Sequence, residues 1–88
     1  MASRTVDVMN KRGLHARASA KFVTLAAEQS AEIEVEKDGT AVCGTSIMGL
    51  MMLGAACGDQ ITISATGAGA DQAVDLLAAL VEARFGED

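Results

Sequence analysis

The only histidine of the chain, His15, lies in the segment RGLHARASAKFV with three of the seven basic residues, Arg12, Arg17 and Lys21. Good helix formers follow it, so His15 is expected at or just before the start of a helix. The first N–H groups of a helix lack intrahelical partners and form a site for anions. A histidine beside such a site is disfavoured as a cation. It is therefore expected to be uncharged near pH 7, and neutral imidazole is the nucleophilic form.

These residue types suit the transient binding of a phosphoryl group. Gly13 permits unusual backbone geometry just before His15. The guanidinium of Arg17 can bind two phosphate oxygens at once. A phosphoryl group on His15 would then be held by Arg17 and by the N–H groups at residues 16–18. The alternative is a structural histidine that only hydrogen-bonds the backbone where the helix begins.

Composition excludes several classes of protein. The chain has 88 residues, half of them hydrophobic, which predicts one globular domain over residues 1–88 and excludes a disordered chain. The net charge of −5 divides into +4 over residues 1–27 and −9 over residues 28–88. The basic end suits a phosphate or an acidic partner surface, whereas the acidic remainder would repel nucleic acid. With two Phe and no Trp or Tyr, the chain also lacks a platform for stacking bases.

The sequence predicts a cytoplasmic protein that does not insert into membranes. No apolar run approaches the roughly 20 residues of a membrane helix, and the first residues lack the pattern of a secretory signal. Two cysteines without a CxxC spacing fit a reducing compartment. One histidine and no close thiol pair predict no metal site, and we expect no organic cofactor.

The hydrophobic pattern predicts an α+β fold in the order βαββαβα. Ile33 and Val35 alternate with glutamates, which is typical of an antiparallel sheet with one face in water and all helices on the other. A two-residue turn at 38–39 would pair Val35 with Val42 and leave Cys43 on the solvent side. The predicted strands are 4–9, 31–37, a strand around Val42, and 60–66; the predicted helices are 16–28, 47–53 and 70–85.

Two segments resemble one known family over essentially the whole chain. GLHARASAKFV is similar to the active-site segment of HPr, the phosphocarrier of the bacterial phosphoenolpyruvate-dependent phosphotransferase system. TSIMGLMMLGAACGDQITISATG, residues 45–67, is similar to the regulatory-serine region and fourth strand of that family. The resemblance implies an open-faced β-sandwich with strand order 1-4-2-3 and three helices on one face.

The resemblance also implies a function and its residues. His15 would be phosphorylated on Nδ1 by Enzyme I and would pass the group to Enzyme IIA-type domains, with Arg17 stabilising the phosphate. Such a protein is a carrier and not an enzyme. The chain departs from the family in having Ala18 where Pro is usual. Ala18 adds an N–H donor to the first helical turn, so we expect a working site with altered phosphate contacts.

Ser46 is a second candidate for phosphorylation. Ser46 and Thr45 are both good N-caps for the short helix, so the position by itself indicates only capping. The run SIMG is similar to the HPr proteins in which this serine is phosphorylated by the HPr kinase/phosphorylase. The run MMLGAA resembles instead the nitrogen-related branch, whose members signal rather than feed sugar import, and the choice of branch stays open.

The second helix has too many apolar residues for one buried stripe. Leu50 and Leu53 are expected in the core and Met52 among packing residues. Ile47, Met48 and Met51 should form an exposed patch, which usually marks a partner site. The resemblance implies that this patch docks partners together with the start of the first helix, at Ala16, Ala20 and Lys21.

Two other functions remain open from the sequence. One is a regulatory HPr-like protein that controls further target proteins by phosphorylation-dependent binding alone. The other is a ligand-binding module of the ferredoxin-like kind, in which His15 is structural.

Overall fold

The computed structural model of the protein describes residues 1–87, so Asp88, the last residue of the predicted domain, lies outside the described residues. The order of elements is βαββαβα, as predicted, followed by a single 3-10 turn at Arg84–Gly86. The elements are β1 (Ala2–Asp7), α1 (Ala16–Ala27), β2 (Glu32–Lys37), β3 (Thr40–Cys43), α2 (Ile47–Met52), β4 (Gln60–Thr66) and α3 (Ala70–Glu82).

The four strands form one antiparallel sheet in the order β1-β4-β2-β3, which confirms the expected strand order. Asp38 and Gly39 both have positive φ angles, 51° and 85°, as a tight two-residue hairpin turn requires. Val35 is consequently paired with Val42. Cys43 is exposed, on the solvent side of the sheet, as predicted.

One face of the sheet is covered by the helices and the other is open. The open face carries exposed glutamates of β2 and a 2.9 Å hydrogen bond between the Thr5 and Thr62 hydroxyls. The covered face buries apolar side chains at alternate strand positions against α1 and α3. This core includes Val6, Ile33, Val35, Ile61, Ile63, Phe22, Leu77, Val81 and Phe85.

Several boundaries differ from those predicted. β1 spans 2–7 and not 4–9, because β4 supplies partners from Ala65 opposite Ala2 to Gln60 opposite Asp7. β2 begins one residue later than expected, and α1 and α2 each end one residue earlier. In both helices the residue predicted to be last serves as the C-cap instead.

The end of the last helix is the largest correction. The prediction of a helix to residue 85 was wrong, since α3 ends at Glu82. Arg84 and Phe85 have positive φ angles of 59° and 55°, and the reversal that they create places Phe85 in the core. Periodicity missed this end because Phe85 follows Val81 at a helical spacing of four.

Within residues 1–87, none of the helices has the length and apolar character needed to cross a membrane.

Candidate functional site

The loop between β1 and α1 positions His15 through a close contact with the segment before β4. The Val8 N–H donates to the Asp59 carbonyl at 2.8 Å, and the Leu14 N–H donates to the Ala55 carbonyl at 2.9 Å. Gly13 has a φ of +63°, and a Cβ atom at this position would overlap the Ala55 carbonyl oxygen. The loop therefore requires glycine at position 13, both for its backbone conformation and for lack of space.

Gly13→Ala should lower the free energy of unfolding by about 3 kcal/mol, since it combines left-handed backbone strain with overlap against a fixed backbone. Gly54→Ala is the matched control, because Gly54 has nearly the same φ, +66°, and open space around it. The control should cost only about 1 kcal/mol. Denaturant unfolding of both variants measures the difference, and equal losses would contradict the steric role of Gly13.

His15 is the N-cap residue of α1, as expected from the sequence. Its backbone is extended, with φ −78° and ψ −178°, and its carbonyl accepts the first helical hydrogen bond from the Ser19 N–H at 2.9 Å. Its Nδ1 atom accepts a hydrogen bond from the Arg17 N–H at 3.3 Å. The imidazole thus fills the capping role that a serine or aspartate oxygen usually fills.

The other ring nitrogen of His15 contacts a residue that the sequence did not indicate. Nε2 lies 2.7 Å from Oε2 of Glu87, whose Oε1 accepts a hydrogen bond from Asn10 Nδ2 at 3.0 Å. Partial burial acts to raise the pKa of Glu87. The hydrogen bonds from Asn10 and His15 and the electrostatic attraction of His15 and Lys21 outweigh that effect and hold the pKa below its usual value. Glu87 is therefore a carboxylate at neutral pH and an acceptor of hydrogen bonds.

The two contacts of the ring select the same tautomer. Nδ1 faces an N–H donor and so carries no proton in this arrangement, while Nε2 faces a carboxylate and so carries one. The lone pair of Nδ1 then points toward the start of α1. The 3.3 Å bond from the Arg17 N–H is long and weak, so an electrophile can replace it. His15 is arranged as a nucleophile through Nδ1.

The start of α1 offers groups that can hold an anion. Ala16 and Arg17 are exposed, and neither the Ala16 N–H nor the Arg17 guanidinium has a hydrogen-bond or ion-pair partner within the described chain. Ala18 is fully buried, so its N–H is not open to a group on the surface. The donors available to a phosphate beside Nδ1 are thus the Ala16 N–H, the Arg17 N–H and the Arg17 side chain.

Lys21 is held by the carboxyl-terminal turn. Its Nζ donates to the Phe85 carbonyl at 2.7 Å, a contact that the sequence did not indicate. Lys21 therefore ties the turn at Arg84–Gly86 to α1, and its predicted part in partner binding stays a prediction.

Ser46, and not Thr45, caps α2. The Ser46 Oγ accepts a hydrogen bond from the Gly49 N–H at 3.0 Å. The Thr45 hydroxyl lies 3.1 Å from the Cys43 sulfur, and this hydrogen bond lowers the pKa of the thiol. Ser46 is partly exposed, so its hydroxyl sits at a helix start, where added negative charge is tolerated.

The outer side of α2 carries the expected apolar patch. Ile47, Met48 and Met51 are exposed, Met48 to 70%. Met52 is exposed to 79% and so belongs to the same surface; placing it among packing residues was wrong. We call Ile47, Met48, Met51 and Met52 the α2 patch. α2, which carries the patch, packs against α1. At the start of α1, Ala16 is exposed and Ala20 half-buried.

No three His, Cys, Asp or Glu side chains in residues 1–87 come close enough to hold a metal ion. The groups brought together around His15 are instead its imidazole, the Glu87 carboxylate and the N–H and guanidinium donors at the start of α1.

Comparison with known proteins gives consistent results. The family described as "PTS HPr component phosphorylation site" matches residues 2–83. The phosphocarrier protein HPr of Cupriavidus necator is 42% identical over 87 residues, which cover 99% of this chain and 98% of that protein. The phosphocarrier protein NPr of Shewanella violacea is 43% identical over 84 residues, 96% of this chain and 92% of that one.

A solved structure of HPr from Thermoanaerobacter tengcongensis has a TM-score of 0.95 and 43% identity, and covers 100% of this chain and 99% of that one. Similarities that span nearly the whole length favour a phosphocarrier over the ligand-binding module.

Proposed function

We propose a function for the chain as a member of the HPr family of phosphocarriers of the phosphotransferase system, to which it belongs. It accepts a phosphoryl group from Enzyme I on Nδ1 of His15 and donates it to Enzyme IIA-type domains. The observation that carries this proposal is the geometry of His15. Its Nδ1 accepts a hydrogen bond from the Arg17 N–H and so caps an exposed helix start. It lies beside Arg17, whose guanidinium has no partner among the described residues. The proposal makes the protein a carrier of the phosphoryl group and not an enzyme that turns over a small molecule.

The transfer needs only groups that surround Nδ1. The Nδ1 lone pair attacks phosphorus and a P–N bond forms, while the bond between phosphorus and the donor breaks and its electron pair leaves with the donor. The proton on Nε2 stays in place, so the ring carries positive charge after the attack. The Ala16 and Arg17 N–H groups and the Arg17 guanidinium then neutralise the phosphoryl oxygens. Donation to the acceptor is the reverse sequence.

The surface around His15 supports docking of an acidic partner with an apolar contact. Lys11, Arg12 and Arg17 are exposed near His15, and α2, which carries the exposed α2 patch, packs against α1. We infer that Ala16, Ala20 and Lys21 with the α2 patch receive Enzyme I, Enzyme IIA-type domains and the HPr kinase/phosphorylase, each in turn. Enzyme I and phosphoenolpyruvate are encountered in the cytoplasm, where we place the protein.

Incubation with Enzyme I and phosphoenolpyruvate labelled in the phosphoryl group tests the proposal. Labelled protein should form, and addition of a soluble IIA domain should remove the label from it. Label that forms but never passes to any IIA domain would favour the second candidate function, a regulator that acts through phosphorylation-dependent binding. Absence of label would contradict both.

The observation that favours regulation is the position of Ser46. Its hydroxyl is partly exposed at a helix start and adjoins Ile47 and Met48 of the α2 patch. Phosphorylation there would place close to two negative charges where the helix tolerates them, yet inside the proposed docking surface. We infer that phosphorylation of Ser46 by the HPr kinase/phosphorylase reduces acceptance of phosphate from Enzyme I without harm to the fold.

Ser46→Asp should keep or raise thermal stability, because aspartate is a strong N-cap, and yet slow transfer from Enzyme I. One added charge facing an acidic partner costs about 1 kcal/mol at contact distance in water, which corresponds to a rate roughly fivefold lower. Added salt should narrow the difference by screening. Transfer rates of wild type and variant at low and high ionic strength measure both effects.

Ser46→Asn is the matched control for this prediction. Asparagine caps a helix as well as aspartate and has nearly the same shape, but it adds no charge. It should transfer phosphate at the wild-type rate. An unchanged rate for Ser46→Asp at low salt would remove the inhibitory role of Ser46.

A further inference from the structure

We propose that Glu87 is a positioning residue for phosphoryl transfer: its carboxylate holds His15 in the tautomer whose Nδ1 is free to attack, and stabilises the charge that the ring gains. This inference rests on the proposed function of His15. It concerns the nitrogen opposite the one that is phosphorylated. Glu87 therefore acts through His15 and does not touch the phosphoryl group.

The contact is short and partly shielded from water. His15 Nε2 and Glu87 Oε2 are 2.7 Å apart, and the two side chains are only 21% and 20% exposed. A hydrogen bond from an N–H group to a carboxylate is stronger than one to a neutral acceptor, and the reduced exposure limits competition from water. Glu87 is thus able to fix both the orientation of the ring and the location of its proton.

The Glu87 carboxylate is itself held by a buried amide. Asn10 is fully buried, and its Nδ2 donates to the Gly13 carbonyl at 2.8 Å and to Glu87 Oε1 at 3.0 Å. Both partners are acceptors, so they fix the orientation of the amide. Asn10 links the carboxylate to the loop that also positions His15.

This orientation of the Asn10 amide lowers the stability of the folded protein. The Asn10 Oδ1 is buried without a hydrogen-bond partner among residues 1–87, which disfavours the folded state. An apolar residue would avoid this cost but could not hold the carboxylate. The unpaired Oδ1 is therefore explained by the Nδ2 group of the same side chain, which holds the Gly13 carbonyl and the Glu87 carboxylate.

The backbone of Glu87 is placed by the carboxyl-terminal turn. The Glu87 N–H donates to the Arg84 carbonyl at 2.8 Å, and Phe85 anchors the turn in the core. Lys21 of α1 donates to the Phe85 carbonyl. The carboxylate is therefore brought to His15 by a fixed turn, and little ordering remains when the reaction begins.

The arrangement assists the reaction without blocking it. Attack by Nδ1 on phosphorus leaves the Nε2 proton on a ring that has become cationic, and the carboxylate at Oε2 neutralises that charge through the same hydrogen bond. The phosphoryl group forms on the far side of the ring, beside the start of α1. Glu87 thus does not compete with the incoming phosphoryl oxygens, whose donors are the Ala16 and Arg17 N–H groups and the Arg17 side chain.

Glu87→Gln tests the proposal, because Asn10 and His15 contact different oxygens of the Glu87 carboxylate, whereas an amide has only one acceptor oxygen. If its oxygen accepts from Asn10, its NH2 group faces Nε2 and favours the opposite tautomer, with the proton on Nδ1. The nitrogen chemical shifts of His15, measured at a pH where the ring is neutral, should report Nε2 protonated in the wild type and a shift toward Nδ1 protonated in the variant. The kcat for transfer from Enzyme I should fall roughly tenfold, the equivalent of one hydrogen bond to a charged group. The KM for Enzyme I should stay the same.

Glu36→Gln is the matched control, since Glu36 loses the same charge on the open face of the sheet. It should change neither the nitrogen shifts nor the kcat. A kcat for Glu87→Gln equal to that of the wild type would overturn the proposal. Unchanged nitrogen chemical shifts of His15 in this variant would also overturn it. A wild-type protein that takes no phosphate would contradict the proposed function instead, and the nitrogen shifts would still decide whether Glu87 sets the tautomer.

Discussion

His15→Ala should abolish phosphoryl uptake from Enzyme I while the protein stays folded. The chain contains no other histidine, and the donors proposed to hold the phosphate are all arranged around Nδ1 of this one. The cost in stability should be that of a lost N-cap, about 1 kcal/mol, together with that of the lost hydrogen bond to Glu87. Incorporation of label from phosphoenolpyruvate and thermal unfolding measure the two effects. The label on the wild type should be labile in acid and stable in alkali, as a phosphorus–nitrogen bond to histidine predicts.

His15→Asn separates the two roles of the residue. Asparagine is a good N-cap but not a nucleophile, so this variant should recover the capping part of the lost stability and still take no phosphate. Label that persists in either variant would move the site to another residue. If both variants unfolded, His15 would be structural and the carrier proposal would lose its main support.

The architecture follows from patterns of a few residues, which is why the sequence alone could predict it. The glutamates of β2 alternate with Ile33 and Val35, and one polar face requires that all helices lie on the other. The turn at Asp38 and Gly39 fixes the register of β2 with β3, because two residues with positive φ close the tightest hairpin. The strand order was available only through the resemblance to HPr, since periodicity carries no information about which strands become neighbours.

The end of α3 shows where periodicity fails. Phe85 lies at a helical spacing from Val81 and is apolar, so both signals extend the helix to it. The chain buries Phe85 by a turn with positive φ instead. Neither Arg84 nor Phe85 is a residue type that favours positive φ, so the local sequence holds no signal for this turn. Tertiary packing of the ring decides the conformation.

The sequence indicated the half of the candidate site around His15, but it did not indicate the carboxylate that contacts the other side of the ring. His15, Arg17 and the start of α1 are neighbours along the chain, so their types and spacing already indicate an anion site. Glu87 is 72 residues from His15 and reaches it only because of the turn that the pattern missed. Asn10 likewise gives no signal, since an asparagine in a loop usually indicates a turn.

Arg17→Ala should slow phosphoryl transfer in both directions and leave the fold intact. The Arg17 guanidinium has no hydrogen-bond or ion-pair partner within residues 1–87, so its removal costs the folded protein little. Its proposed contact with the phosphoryl oxygens would be a charge-assisted hydrogen bond of roughly 1.5–3 kcal/mol, which predicts a rate about 10- to 150-fold lower. Rapid-quench measurement of transfer from Enzyme I and to a IIA domain gives the two rates.

Arg12→Ala provides the matched control, because Arg12 is also an exposed arginine near His15 but precedes the helix start. The loss of its charge should weaken encounter with an acidic partner, an effect that salt removes, whereas the loss of Arg17 should persist at high salt because it acts on the bound phosphoryl group. Arg17→Lys should restore only part of the rate, since lysine keeps the charge but cannot bind two oxygens in a fork. Equal rates for Arg17→Ala and Arg12→Ala at every salt concentration would mean that Arg17 contributes only to the electrostatic attraction of the partner. The helix N–H groups would then be the remaining candidates for the phosphate site.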